Sequence, residues 1–138
     1  MNKCIIVDID GTIALRGDRG PHDHDQAMED GVNWTIVRLV ECLRDDDLAL
    51  LLVSGRDEKF RDITEFWLKA HRLFDYRAGL LMRARFDCRP DEDVKREIYE
   101  QDIKPHFDVL WVFDDRNKVV KMWRDLGLTC LQVADGEF

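Results

Sequence analysis

The apolar residues of this chain come in short runs, and three of those runs stop at polar clusters where a turn must begin. Cys4-Ile-Ile-Val7 leads into Asp8-Ile-Asp10-Gly11-Thr12, residues 48–53 into Ser54-Gly55-Arg56, and residues 109–113 into Asp114-Asp115. Unbroken apolar runs of this kind suit parallel strands covered on both faces. Between them the pattern changes to helical spacing. Asn33 is placed to cap a helix carrying Trp34, Val37, Val40 and Leu43, ended by Asp45-Asp46-Asp47. Asp57 opens a second, with Phe60, Ile63, Trp67 and either Leu68 or His71 on one face. A third spans roughly residues 91–102, and a fourth runs over 117–126 to a closing Gly127. Shorter strands are predicted at 79–82 and 129–133, and residues 16–31 read as a long polar loop. Strands alternating with helices require right-handed crossovers, which gives an α/β, Rossmann-like fold with a five-stranded parallel sheet and helices on both faces.

A chain of 138 residues with 45% hydrophobic content can bury one core and is too short for two, so residues 1–138 are predicted to form a single domain. No apolar run approaches membrane-spanning length, and the first strand follows a single Lys with no signal-peptide pattern, which predicts a cytoplasmic protein with no membrane partner. Cys4, Cys42, Cys88 and Cys130 lack the CxxC spacing of a zinc site or a disulfide framework, so reduced thiols are expected. The formal net charge of −8 opposes tight nonspecific binding to long nucleic acids. The charge is uneven, however. Arg72, Arg77, Arg83, Arg85, Arg89, Lys95 and Arg96 make a basic stretch that is either a local track beside a site or a solvated face.

In an open α/β sheet, ligands bind beyond the carboxyl ends of the strands, so the three polar clusters should converge. Asp8 and Asp10, two apart on a strand, can project into one pocket while Ile9 turns to the core. Gly11 and Thr12 supply a tight bend whose backbone N–H groups could hold an anion. One carboxylate can attack phosphorus while the other moves a proton. Because a carboxylate is repelled by a phosphate dianion, Mg²⁺ held by Asp8, Asp114 and Asp115 would offset the repulsion, with Ser54 and Lys95 on the remaining phosphate oxygens.

The four motifs Asp8-Ile-Asp10-Gly11-Thr12, Ser54, Lys95 and Asp114-Asp115 resemble those of the haloacid dehalogenase superfamily. More narrowly, the chain is similar to the 3′-phosphatase domain of phage-type polynucleotide kinase-phosphatase. This similarity is carried by Gly17-Asp-Arg19-Gly20-Pro21, Val53-Ser54-Gly55-Arg56, Asp91-Glu-Asp-Val-Lys95, and the tail from Pro105 through Asp114-Asp-Arg116 and Met122-Trp-Arg to Phe138. The resemblance implies a haloacid dehalogenase fold, in which residues 13–32 and 57–78 leave room for only a minimal cap, and a Mg²⁺-dependent phosphatase acting on 3′-phosphorylated RNA or DNA ends or 3′-nucleotides. In it Asp8 is the nucleophile and Asp10 the acid and base. Thr12, Ser54 and Lys95 bind phosphate, Arg19, Arg56 and Asp91 serve the substrate, and Asp8, Asp10, Asp114 and Asp115 hold the metal. Members of this group are joined to a kinase, so association with a separate kinase or ligase is expected. No GxxxxGK[ST] loop is present, and no 5′-kinase activity is expected.

Two rival readings stay open at this stage: a phosphatase for a small metabolite or mononucleotide, and a noncatalytic domain that binds phosphorylated ends. Lys95 could instead pair with Asp91 on an exposed helix face. His22-Asp23-His24-Asp25 reads as a solvated loop rather than a metal site. Trp34, Trp67, Trp111 and Trp123 are assigned to core packing, while Phe60 and Phe86 stay open between packing and base stacking.

Overall fold

A computed structural model describes residues 1–138. Its elements in chain order are β1 (Asn2–Val7), β2 (Ala14–Leu15), β3 (Gly31–Val32), α1 (Trp34–Leu43), β4 (Leu48–Asp57), α2 (Arg61–Ala70), β5 (Leu80–Arg83), α3 (Asp91–Ile98), β6 (Phe107–Asp114), α4 (Asn117–Asp125) and β7 (Cys130–Gln132). The main sheet has the order β5-β4-β1-β6-β7, and every neighbouring pair in it is parallel.

Alternation along the central strands explains the two layers. Ile5 and Val7 of β1, with Leu48, Leu50 and Leu52 of β4, pack with Val37, Val40, Trp67 and Leu68 of α1 and α2. Cys4 and Ile6, with Ala49, Leu51 and Val53, pack with Val94, Ile98, Val119, Val120 and Trp123 of α3 and α4. Both faces of β1 and β4 are therefore dry, as their unbroken apolar runs require. From β1 the chain winds outward through β4 to β5, then returns across the sheet to β6 on the other side of β1. The winding thus reverses at β1, whose carboxyl end carries Asp8.

The predicted elements are present with shifted edges. β4 continues to Asp57, and α2 starts at Arg61 after a 3₁₀ turn, Glu58–Phe60, in which the Lys59 amide donates to the Asp57 side chain (2.8 Å). α3 begins after Pro90 with Asp91, Glu92 and Asp93 in its first turn, favourable charges for a helix start, and passes into a π-helical turn at Tyr99–Ile103.

Residues 16–31 are more ordered than the loop expected from their polarity. They include a 3₁₀ helix, His24–Glu29, and β3 pairs antiparallel with β2, forming the minimal cap. Runs this short leave no periodicity to read. Asn33 does not cap α1 with its side chain, which donates instead to the Thr12 carbonyl (3.0 Å) and ties the cap ladder to the β1 loop. The assignment of all four tryptophans to the core also needs correcting: Trp67 and Trp123 are buried, Trp111 is half-buried, and Trp34 is 59% exposed at the first position of α1. The four cysteines are free thiols. No helix is long and apolar enough to cross a membrane.

Candidate active site

Beyond the end of β1, the loop 8–14 is wound on itself. The Asp8 amide donates to the Phe113 carbonyl of β6 (2.9 Å), Gly11 takes φ +80°, and the amides of Gly11 and Thr12 donate to Ala14 (2.9 Å) and Ile9 (3.2 Å) carbonyls. Those two amides are therefore engaged within the turn, not open to an anion as their position in the sequence suggests. Thr12 is fully buried, and its hydroxyl donates to Asp8 Oδ2 (3.1 Å). A Cβ on Gly11 would lie 2.1 Å from Asp115 Oδ2, so the absence of a side chain is what admits Asp115 to the loop.

Lys95, on the buried face of α3, donates to Asp8 Oδ1 (2.8 Å) and Asp114 Oδ2 (3.0 Å). The exposed pairing with Asp91 is thus not formed. Burial alone would lower the Lys95 ammonium, but the charges of Asp114 and Asp8 outweigh it and hold the group above its ordinary value. Asp114 is anchored on all sides: Oδ1 accepts the amides of Asp115 (2.9 Å) and Arg116 (3.4 Å), and Oδ2 also accepts the Trp123 indole N–H (3.2 Å). Ser54 is buried at the carboxyl half of β4, where its Oγ accepts the Arg56 amide (3.1 Å).

Asp8, Asp114 and Asp115 each offer a carboxylate oxygen, and these lie within 4.8 Å of one another. Burial, then the Asp114 charge, pushes the Asp8 carboxyl well above the usual range, and Lys95 does not cancel the effect. Asp115 is raised as well, by burial and by Asp114. Three buried carboxylates against one ammonium leave negative charge unbalanced, and a hard divalent cation with oxygen ligands suits the donor set. Asp10, expected among the metal ligands, has its carboxylate turned to two arginines instead.

Those arginines are Arg19 and Arg56, both buried. Arg56 Nε and Nη2 donate to the two oxygens of Asp10 (2.9 and 2.7 Å), and Arg19 Nη2 donates to Oδ1 (3.0 Å). Both also grip Asp30, through Arg19 Nε (2.7 Å) and Nη2 (2.9 Å) and Arg56 Nη2 (3.2 Å), while Arg56 Nη1 donates to the Thr64 hydroxyl (3.0 Å). Burial raises the Asp10 carboxyl, but the hydrogen bonds and charge of Arg56, with His24 and Arg19, more than offset it and the group lies below its ordinary value. In this structure the forks of both guanidiniums are occupied by Asp30, which is buried, and by Asp10, which is half-buried, and no substrate contact is shown.

Asp91 opens α3 beside Gly55, accepting from Arg83 Nη2 at Oδ1 and from Arg116 Nη1 at Oδ2 (2.9 Å). The basic stretch does not form one track. Lys95 lies in the site and Arg83 at its rim, whereas Arg77 is locked at the amino end of the sheet onto Asp75 (2.9 Å) and the Asp45 and Asp46 carbonyls. His24, expected to be solvated, is buried; its Nδ1 lies 3.3 Å from Arg19 Nη1 and its ring meets Phe60 edge-on at 5.3 Å. Asp30, Thr64, Trp123 and Arg116 were not anticipated as parts of the site. Asp30 sits in an acidic run with Asp23, Asp25 and Glu29, and no spacing distinguishes it from them.

The likenesses to known proteins agree with this geometry. A protein from Autographa californica nuclear polyhedrosis virus, provisionally named as a bifunctional polynucleotide kinase/RNA ligase, is 31% identical over 127 residues, covering 90% of this chain and 18% of the viral protein. A structure of the Pnkp1/Rnl/Hen1 RNA repair complex superposes with a TM-score of 0.93 at 36% identity, covering 99% of this chain and 44% of that one. A second structure of a Pnkp1/Rnl/Hen1 complex gives 0.93 at 34% identity, covering 100% and 48%. The chain therefore spans less than half the length of these relatives. The profile of the polynucleotide kinase PNKP phosphatase domain matches residues 2–138, and the chain belongs to that haloacid dehalogenase-type phosphatase family.

Proposed function

We propose that this chain is a Mg²⁺-dependent polynucleotide 3′-phosphatase, a single domain over residues 1–138, that clears 3′-phosphate from RNA or DNA ends or 3′-nucleotides in end repair. The observation that carries the reading is the meeting of Asp8, Lys95 and Asp114 at the reversal point of the sheet, with Asp115 beside them and an arginine-held Asp10 two residues from Asp8. A module that only binds phosphate has no need of a carboxylate aimed from the strand end and a second one held for proton transfer.

In this mechanism an Asp8 oxygen attacks phosphorus, the bond from phosphorus to the 3′ oxygen breaks, and the departing oxygen takes a proton from Asp10. Water then loses a proton to Asp10 and attacks the aspartyl-phosphate, releasing inorganic phosphate and restoring Asp8. Lys95 and Ser54 hold the transferring phosphoryl oxygens, and Thr12 orients Asp8 through its hydroxyl. Mg²⁺, when held by Asp8, Asp114 and Asp115, screens the charge between carboxylate and phosphate. The arginines keep Asp10 ionised in the free protein, the form that accepts a proton from water. The acid half of the reaction needs the protonated form, which closure of the site by substrate favours through desolvation. The viral relative and the two complexes support action beside a kinase or ligase, and we place the activity in the cytoplasm.

Phosphate release from a 3′-phosphorylated oligonucleotide, a 3′-mononucleotide and a set of sugar phosphates tests the assignment. Preference for the oligonucleotide by at least about tenfold in kcat/KM is expected, because strand contacts add to transition-state binding. Preference for a sugar phosphate would move the chain to small-metabolite chemistry. Asp10→Asn should cost far more on a 3′-alkyl phosphate than on an aryl phosphate, whose leaving group needs little protonation.

A further inference from the structure

Phe86 is 82% exposed and stands at φ +66°, a left-handed backbone that non-glycine residues rarely adopt. Such a conformation persists where the surroundings over-determine it, and here they do. The Phe86 amide donates to Asp57 Oδ2 (3.1 Å), the Asp87 amide donates to the Ala84 carbonyl (3.2 Å), and Arg83 Nη1 donates to the Asp87 carbonyl (3.0 Å). Arg89 closes the loop by gripping the Asp87 carboxylate. This effort holds an aromatic ring in water rather than in the core.

The loop lies on the rim of the candidate active site. It leaves the carboxyl end of β5, next to β4, and its anchor Asp57 is three residues past Ser54, about 10 Å along a strand. Arg83 joins it to the Gly55 carbonyl (2.7 Å) and to Asp91, which Arg116 holds from the β6 side. The Arg85 guanidinium lies 5.2 Å from the Phe86 ring centroid, and Arg85, unlike Arg83 and Arg89, makes no ion pair.

We propose that Phe86 and Arg85 form a stacking platform for a nucleobase near the 3′ end of the substrate strand. The inference rests on the polynucleotide reading above and deepens it. A base presents a flat π-face that stacks on an aromatic ring or a guanidinium plane, and the free positive charge of Arg85 complements the adjoining phosphodiester. The strand would run from the platform past Ser54 to place its terminal phosphate at Asp8.

The test compares kcat and KM for the wild type, Phe86→Ala, Phe86→Gly, Phe86→Trp and Arg85→Ala on a 3′-phosphorylated oligonucleotide, on the same strand with abasic terminal nucleotides, and on an aryl phosphate. Phe86→Gly suits the left-handed backbone and removes only the ring, so it separates stacking from loop conformation. Phe86→Ala and Phe86→Gly should each raise KM on the intact strand at least about fivefold with kcat kept, Phe86→Trp should stay near wild type, and these three should match wild type on the other two substrates, whereas Arg85→Ala, which removes a charge facing the phosphodiester, should raise KM on both strands and match wild type only on the aryl phosphate. Wild-type KM for Phe86→Gly on the intact strand, or equal losses on the aryl phosphate, would overturn the platform alone. A wild type that cleaves the aryl phosphate but not the oligonucleotide would overturn the polynucleotide reading and the platform with it.

Discussion

At the scale of single residues, Asp8, Lys95 and Asp114 form one buried ion cluster, and Asp10, Asp30, Arg19 and Arg56 form a second that holds the carboxylate proposed to transfer the proton. The first cluster was legible because its acids stand at the ends of apolar runs, where a parallel sheet must aim them. The second was only half legible. Arg19 and Arg56 were visible in their motifs, but their hold on Asp10 and Asp30 was not, because Asp30 is hidden among other loop acids. Removing Asp30 leaves two almost wholly buried guanidiniums to share the single carboxylate of Asp10, so Asp30→Ala should cost about 3–5 kcal/mol in thermal or denaturant unfolding and at least about a hundredfold in kcat. Arg56→Lys should not restore what Arg56→Ala loses, since a point charge cannot reproduce the fork that spans both Asp10 oxygens. Its deficit should be larger on 3′-alkyl than on aryl phosphates; equal deficits, read from kcat on each substrate, would assign Arg56 to the phosphoryl group.

At the scale of elements, the β1 loop, the ends of β4 and β6, and the buried face of α3 meet because the chain crosses the sheet at β1. The long elements were readable from period alone. The cap was not, because β2 and β3 have two residues each and their pairing is fixed by contacts between residues far apart in sequence, such as Asn33 with Thr12. Gly11 is the point where local backbone and tertiary packing agree most closely. Gly11→Ala would impose a left-handed alanine, a cost of about 1–2 kcal/mol, and would drive its Cβ against the Asp115 carboxylate. The expected outcome is a fall of a few degrees in Tm, measured by calorimetry, together with a loss of at least about a hundredfold in kcat. Loss of stability with activity intact would separate Asp115 from the reaction.

At the scale of the whole molecule, pH should act on stability through His24 as well as through the carboxylates. Burial, only partly opposed by the Asp10 charge, lowers its imidazole from 6.5 to about 4. The unfolded chain therefore takes up the proton first as pH falls, so the contribution is complete above about pH 6.5 and is lost progressively down to about pH 4. A variant such as His24→Gln should flatten the fall of Tm across that window relative to the wild type, and identical slopes would show that His24 does not carry this pH dependence. The claim on which the account rests is hydrolysis through Asp8 in a metal-dependent site. Its most direct measurement is phosphate release from a 3′-phosphorylated oligonucleotide by the wild type and Asp8→Asn, each with Mg²⁺ and with chelator. The account expects turnover only for the wild type with Mg²⁺. Comparable turnover by Asp8→Asn, or by the wild type in chelator, would contradict it.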